Sequence, residues 1–177
     1  MKIIGLTGPA RSGKDTAAET LVNKGWRQYR FADPLKKSVQ AMFGLTERHT
    51  DGDLKESPID WLDGVTPRQI MQTLGTEWGR DCIHPDLWLR VADRALERTA
   101  DHGHPGIVIS DVRFDNEAAF VRDRGGSVVH IRRESAGSVN AHSSESGVTF
   151  DAADYLIDNN GTIHELGAQI RRIAGAA

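Results

Sequence analysis

The stretch Gly8-Pro-Ala-Arg11-Ser12-Gly13-Lys14-Asp15-Thr16 has the spacing G-x-x-x-x-G-K, and its residue types suit the binding of a phosphate chain. Glycines at Gly8 and Gly13 let the backbone curl with its N–H groups turned inward, and positive φ angles cost little there. The segment after Gly13 reads as a helix start, which adds partial positive charge at the same place. Lys14 follows where an ammonium group reaches the phosphoryl group to be transferred. Arg11, Ser12, Gly13, Lys14, Asp15 and Thr16 are therefore the candidate contacts of a nucleotide triphosphate in a phosphate-binding loop (P-loop).

The residue after the lysine is commonly a hydroxyl that ligates Mg²⁺, and here it is Asp15, with Thr16 one position later. Two readings stand. Asp15 meets Mg²⁺ directly or through water while Thr16 bonds an inner phosphate, both being hard oxygen donors; or Asp15 only complements the helix N-terminus. A second acid, Asp111, ends the apolar run Ile107-Val-Ile-Ser110 and is followed by Val112 and Arg113. At the tip of a buried strand beside the loop, Asp111 could organise Mg²⁺ or its waters and Arg113 could bind an acceptor phosphate. The alternative is a plain surface ion pair.

Three further groups carry polar chemistry. Thr66-Pro67-Arg68-Gln69 predicts an N-cap, a proline at N1 and a capping box. On the helix it opens, Ile70, Met71, Leu74 and Trp78 share an apolar face, leaving Arg68, Gln69, Gln72 and Thr76 on the other. Amides, a hydroxyl and one guanidinium suit a base edge and a phosphate, although glutamine is also a good helix former. Pro85-Asp86 starts another helix with Trp88 in its first turn, either as core or as a stacking wall for a base. Lys36 and Lys37 follow Asp33-Pro34, a helix start on a chain leaving a strand's C-terminal end, where solvation alone would also explain them. Arg132-Arg133 open a Gly- and Ser-rich segment to Phe150 that reads as a lid containing His142 and Glu145, without zinc-ligand spacing.

These residues need a scaffold, and the periodicity supplies one. Strand patterns, apolar at residues 3–6, 107–110, 127–131 and 155–157 and alternating at 27–31, are interleaved with helical patterns. Ala17, Ala18, Leu21 and Val22 line the first helix, with Gly25 beyond it. Leu35, Val39 and Met42 are expected inward on the second. Residues 44–65 read as loop or short irregular helix that Trp61 and Leu62 anchor, a flap of the kind that closes over a substrate. Asp115 or Asn116 is expected to cap the helix ending at Gly125-Gly126, and Thr162 with Glu165 forms a second capping box. The count of five strands predicts an α/β protein with a parallel sheet and right-handed crossovers in one domain, 1–177.

Composition narrows the function. A chain of 177 residues, 38% hydrophobic, holds a real core, and its net charge of −3 argues against a protein that coats polymeric nucleic acid. The single cysteine, Cys82, excludes an intrachain disulfide framework and reads as a small half-buried residue. No apolar run is long enough for a membrane span, and residues 1–7 lead into the loop rather than into a signal peptide, so a cytoplasmic location without membrane partners is expected.

At this point the chain resembles the bacteriophage deoxynucleoside monophosphate kinases of the P-loop kinase fold. The resemblance rests on Arg11-Ser-Gly-Lys-Asp-Thr16, on Arg68-Gln-Ile-Met-Gln-Thr-Leu-Gly-Thr76, on Asp86-Leu-Trp88, on Asp111-Val-Arg113 and on His142 with Glu145. It implies a three-layer α/β/α fold with a mobile lid at about 133–150 and an acceptor-binding flap at about 34–90. It further implies ATP as donor, Mg²⁺, a deoxynucleoside monophosphate as acceptor, the host cytoplasm for a phage-encoded chain, and either a monomer or a homodimer. Lys14, Asp111, Arg113 and Arg133 are then catalytic. Lys36, Arg68, Gln69, Gln72, Thr76, Trp88, Asp111 and Arg113 hold the acceptor, and Asp15 and Asp111 serve the metal. Residues 44–66 are shorter than in some relatives. Dephospho-coenzyme A kinase is the alternative, on Asp158-Asn-Asn-Gly161 before the last helix. A GTP-dependent switch is disfavoured, because Asn23-Lys24 continues as Gly25-Trp26 instead of a guanine-reading motif.

Overall fold

The protein was analysed as a computed structural model. The structure describes residues 2–98, 103–136 and 147–176, so His142 and Glu145 lie outside the described residues. The chain divides into two compact units, Met1–Arg30 with Leu96–Ala177, and Phe31–Ala95.

The first unit is built on five parallel strands: β1 (Lys2–Thr7), β2 (Arg27–Tyr29), β3 (Gly106–Ile109), β4 (Ser127–Arg132) and β5 (Tyr155–Asp158), in the order β2-β3-β1-β4-β5. The central strands β1 and β3 read as continuous apolar runs because both faces are covered. Side chains alternate between faces. Ile4 and Leu6 point into a core with Ala17, Ala18 and Leu21 of α1 (Lys14–Val22) and Leu166, Ile170 and Ile173 of α7 (Ile163–Ala176). Gly5 faces the other way, where a Cβ would meet Val121 of α6 (Asp115–Asp123) at 3.0 Å. The sheet thus lies between α1 with α7 and α6, the three layers expected. β1 sits between β3 and β4, so chain leaving its C-terminal end enters the crevice where open α/β sheets bind ligands.

The second unit contains α2 (Asp33–Phe43), α3 (Glu47–Thr50), a 3₁₀ turn at Asp60–Leu62 and α4 (Pro67–Gln72), which runs into a π-helix over Thr73–Ile83. α5 (Leu87–Glu97) then leads back to the sheet unit. Val39, Ile59, Ile70 and Met71 form the core, with Leu35, Phe43, Leu45, Leu62 and Leu74 packed around it. The buried stripe of α2 therefore follows 35–39–43. Met42, expected inward, is 67% exposed because it falls one residue off that i, i+4 line. Trp61 stacks on Phe43 at 6.3 Å between centroids yet remains exposed, leaving Leu62 as the anchor.

Trp78 is likewise exposed, against the α-helical face read from the sequence. In a π-helix each N–H reaches back five residues, so residues beyond Gln72 rotate off the stripe set by Ile70 and Met71. Cys82, near the end of the same helix, is exposed rather than half-buried. No helix among the described residues is long and apolar enough to cross a membrane.

Candidate active site

In the first unit the loop after β1 adopts the backbone that an anion cradle requires. Gly8, Arg11 and Gly13 have φ of 143°, 64° and 107°. Gly8 is obligatory: a Cβ there would lie 2.1 Å from the Ile131 carbonyl oxygen, so the loop is seated directly on β4. Gly13 precedes α1 and offers no capping side chain, which leaves the first N–H groups of the helix for a ligand. Lys14 Nζ donates to the carbonyls of Gly8 and Pro9, 2.7 Å each, and is thereby folded over its own loop. Asp15 is exposed and Thr16 half-buried. The Ser12 hydroxyl is fully buried without a hydrogen-bond partner.

Asp111 and Arg113 follow β3. The sheet pairing continues past the strand, Ser110 N donating to Tyr29 O at 3.2 Å and Val112 N to Leu6 O at 3.1 Å, so Asp111 stands beside the end of β1. Asp111 is half-buried and Arg113 exposed. Glu117, 2% exposed, accepts from the backbone N–H groups of Arg113 at 2.7 Å and Phe114 at 3.2 Å. Phe114 is therefore the N-cap of α6 with Glu117 reaching back to it. The expected caps Asp115 and Asn116 fall one and two residues inside the helix, and the Asp115 carboxylate instead receives Thr149 N at 2.7 Å and its hydroxyl at 3.1 Å.

At the ends of β4 and β5, Arg132 pairs with Asp158, both exposed, and this holds Arg132 above and Asp158 below their ordinary values. Arg133 is exposed. Deeper in, Asp154 takes Arg122 Nη2 at 2.6 Å, His130 Nε2 at 2.9 Å and Asp151 N at 3.0 Å. Burial of Asp154 opposes ionisation, but the hydrogen bonds from Arg122, Asp151 and His130 outweigh it and hold the carboxyl below the ordinary aspartate value.

In the second unit the polar groups are tied to neighbours. Arg68 pairs with Glu56, and Lys36 with Asp51. The capping box is present: Gln69 N donates to Thr66 Oγ1 at 3.3 Å, and Gln69 Oε1 accepts from Thr66 N at 2.8 Å. Gln72 and Thr76 are half-buried. Trp88 is only 9% exposed, with its indole N–H donating to Gly75 O at 2.8 Å and its ring against Gly79. Of its two readings the structure supports the core one, and Trp88 as a stacking wall in the acceptor site stays a proposal.

Residues 53–170 match the deoxynucleotide monophosphate kinase family. The chain belongs to that family. A protein of Acanthamoeba polyphaga mimivirus to which the same activity is ascribed is 36% identical, over 96% of this chain and 94% of the relative. The deoxynucleotide monophosphate kinase of Enterobacteria phage T4 is 22% identical, over 97% and 98%. Among solved structures, TT1252 from Thermus thermophilus superposes with a TM-score of 0.57 at 16% identity, over 98% of this chain and 96% of that one, which is a likeness of fold. Like other members of the deoxynucleotide monophosphate kinase family the chain is a phosphotransferase. One residue of its loop region had been passed over: Asn159, 7% exposed, whose Nδ2 donates to Ser12 O at 2.8 Å. In the sequence Asn159 stands within Asp158-Asn-Asn-Gly161, the ending that also resembles dephospho-coenzyme A kinase, and nothing there points to the loop.

Proposed function

We propose that the protein transfers the γ-phosphoryl group of ATP to a deoxynucleoside monophosphate. An acceptor phosphate oxygen forms the new P–O bond as the bond from the γ-phosphorus to the β,γ-bridging oxygen breaks, giving ADP and a deoxynucleoside diphosphate. Because the acceptor is already anionic, no general base is required, and the work falls on alignment and charge neutralisation. The observation that carries this reading is the loop 8–16, with left-handed backbone at Gly8, Arg11 and Gly13 running into an uncapped helix.

The roles follow from chemistry. Arg11, Ser12, Gly13, Lys14 and Thr16 hold the donor phosphates, Lys14 leaving its loop carbonyls for the transferring group. Arg113 and Arg68 neutralise the acceptor phosphate, Lys36 assists, and Gln69, Gln72 and Thr76 address the base or sugar. Arg132 and Arg133 add positive charge at the start of the lid segment. Mg²⁺ beside the donor would supply positive charge to offset the negative charge of its phosphates. Asp15 and Asp111 are the carboxylates offered to it; among the described residues no cluster of three metal-binding side chains exists, which suits a cation held by one or two carboxylates plus phosphate.

The test is a coupled ADP-release assay on the four common deoxynucleoside monophosphates, their ribose counterparts and dephospho-coenzyme A. Turnover of at least one deoxynucleoside monophosphate is expected. Activity confined to dephospho-coenzyme A overturns the acceptor assignment.

A further inference from the structure

We propose that Asn159 is a positioning residue for the donor phosphates: it locks the Ser12–Gly13 peptide so that the Gly13 N–H faces into the loop. This rests on the phosphate-loop part of the proposed function and assigns Asn159 no contact with ATP.

The peptide unit is planar and trans, so its C=O and N–H point in opposite directions. Fixing one fixes the other. Asn159 Nδ2 holds the Ser12 carbonyl at 2.8 Å, and Asn159 is buried, so water does not compete freely for that acceptor. With the carbonyl drawn toward β5, the Gly13 N–H is turned the other way. This matters most here because Gly13, at φ 107°, belongs to the residue type with the widest choice of conformations; the local bonds, Ala17 N to Gly13 O at 3.0 Å and Ser12 N to Pro9 O at 3.2 Å, hold the neighbouring peptides, and Asn159 holds the one between Ser12 and Gly13. The Ser12 hydroxyl does not help, being buried without a partner.

The same contact gives Gly13 a second reason to be glycine. A Cβ there would stand 2.3 Å from Asn159 Nδ2, so the amide reaches the Ser12 carbonyl only across a bare α-carbon. Asn159 is itself well braced. Its backbone N–H donates to Arg132 O at 2.8 Å, and the next residue, Asn160, accepts from Glu134 N at 2.9 Å through Oδ1. The loop is thus referenced to the ends of β4 and β5, and not to β1 and α1 alone.

Asn159 also borders a concavity of about 400 Å³ together with Asp158, Thr162 and Glu165. A role as a contact to the nucleoside is therefore the competing reading, and the experiment separates the two. ATP binding to the full chain is followed by calorimetry; inorganic tripolyphosphate, which has no base, and adenosine, which has no phosphate, are followed by NMR titration. Asn159→Ala is expected to weaken ATP and tripolyphosphate by about tenfold, the worth of one well-made hydrogen bond. Adenosine affinity and the acceptor KM should stay unchanged while the KM for ATP rises. Asn159→Asp, equal in shape but with no N–H to donate, keeps the test open if the alanine variant does not fold, and is expected to lose at least as much. Unchanged tripolyphosphate affinity in either folded variant overturns the proposal, as does a fall in adenosine affinity equal to that in ATP affinity. A wild-type chain that binds neither ATP nor tripolyphosphate would instead sink the phosphate-loop reading itself.

Discussion

The two units offer their candidate phosphate contacts in different ways. The loop 8–16 works with backbone: glycine conformations, an uncapped helix and one lysine, braced by a buried amide from β5. The unit Phe31–Ala95 works with side chains, and each candidate cation already has an anion, Arg68 with Glu56 and Lys36 with Asp51. A backbone site is formed before its ligand arrives. A side-chain site of paired ions must exchange one anion for another, so it gives up part of its attraction but rejects ligands that cannot replace the carboxylate. In the proposed assignment the donor, common to many reactions, falls to the first kind, and the acceptor, which sets specificity, to the second, joined by the Arg113 side chain of the sheet unit.

Lys14→Ala tests that contrast most severely. Its ammonium group donates to two carbonyls of its own loop, so folding should survive while turnover falls by about a hundredfold to a thousandfold. Circular dichroism with steady-state rates checks both, and normal turnover in a folded variant would falsify the loop's role. Next in size, Arg68→Ala and Arg113→Ala should each raise the acceptor KM by about ten- to a hundredfold, the worth of a charge-assisted hydrogen bond, with little change in the KM for ATP. If either acts on ATP alone, the division between the two kinds of site fails. Asp15→Ala should raise the Mg²⁺ concentration for half-maximal rate by about tenfold, with partial recovery in Asp15→Ser. A metal titration that superposes on wild type would leave Asp15 as a helix-terminal charge.

How legible this was depends on the range of the interaction concerned. The loop, the Thr66–Gln69 capping box and the Thr162–Glu165 box lie within a few residues of sequence, and all three are where the pattern put them. Four of the five strands were readable because a buried parallel sheet writes itself as short apolar runs, and β2, Arg27–Tyr29, showed through the alternation of 27–31. What failed was a change of helical period. The face through Trp78 assumed that the α-helix continues beyond Gln72, and nothing in Thr73–Ile83 announces that it widens into a π-helix. Trp88 needed the same knowledge, since its indole is seated by a carbonyl inside that helix. Asn159 was unreadable for another reason: the residue it holds is 147 positions away.

Smaller effects sharpen the comparison further. Gln72→Leu should reorder the accepted deoxynucleotides by a few-fold while leaving the KM for ATP alone, because removing a half-buried amide penalises bases unequally. A uniform loss across the panel would place Gln72 in support of the fold. Asp154→Asn should leave both KM values within about twofold, since its partners are structural. Its effect belongs to acid stability. The folded carboxyl lies below the ordinary value of about 3.9, so its contribution is complete above that pH and is lost as pH falls through the folded-state value. The wild-type melting temperature should therefore decline more steeply below about pH 4 than that of Asp154→Asn, and parallel curves would dismiss the assignment.

The hydrogen bond from Asn159 to Ser12 also has a consequence in time. On a ribosome the loop emerges 147 residues before its brace. β1 cannot take its place until β3 and β4 flank it, and the core around α1 is completed only by Ile157 of β5 and Leu166, Ile170 and Ile173 of α7. The contiguous stretch Phe31–Ala95 is complete long before. Contacts this distant in sequence close late, because the entropy of a long loop is lost before any of them is made. A nascent chain that stops short of Asn159 is thus expected to carry the whole G-x-x-x-x-G-K motif and yet hold nucleotide poorly, so that full affinity for ATP arises only once Asn159 and α7 have been made.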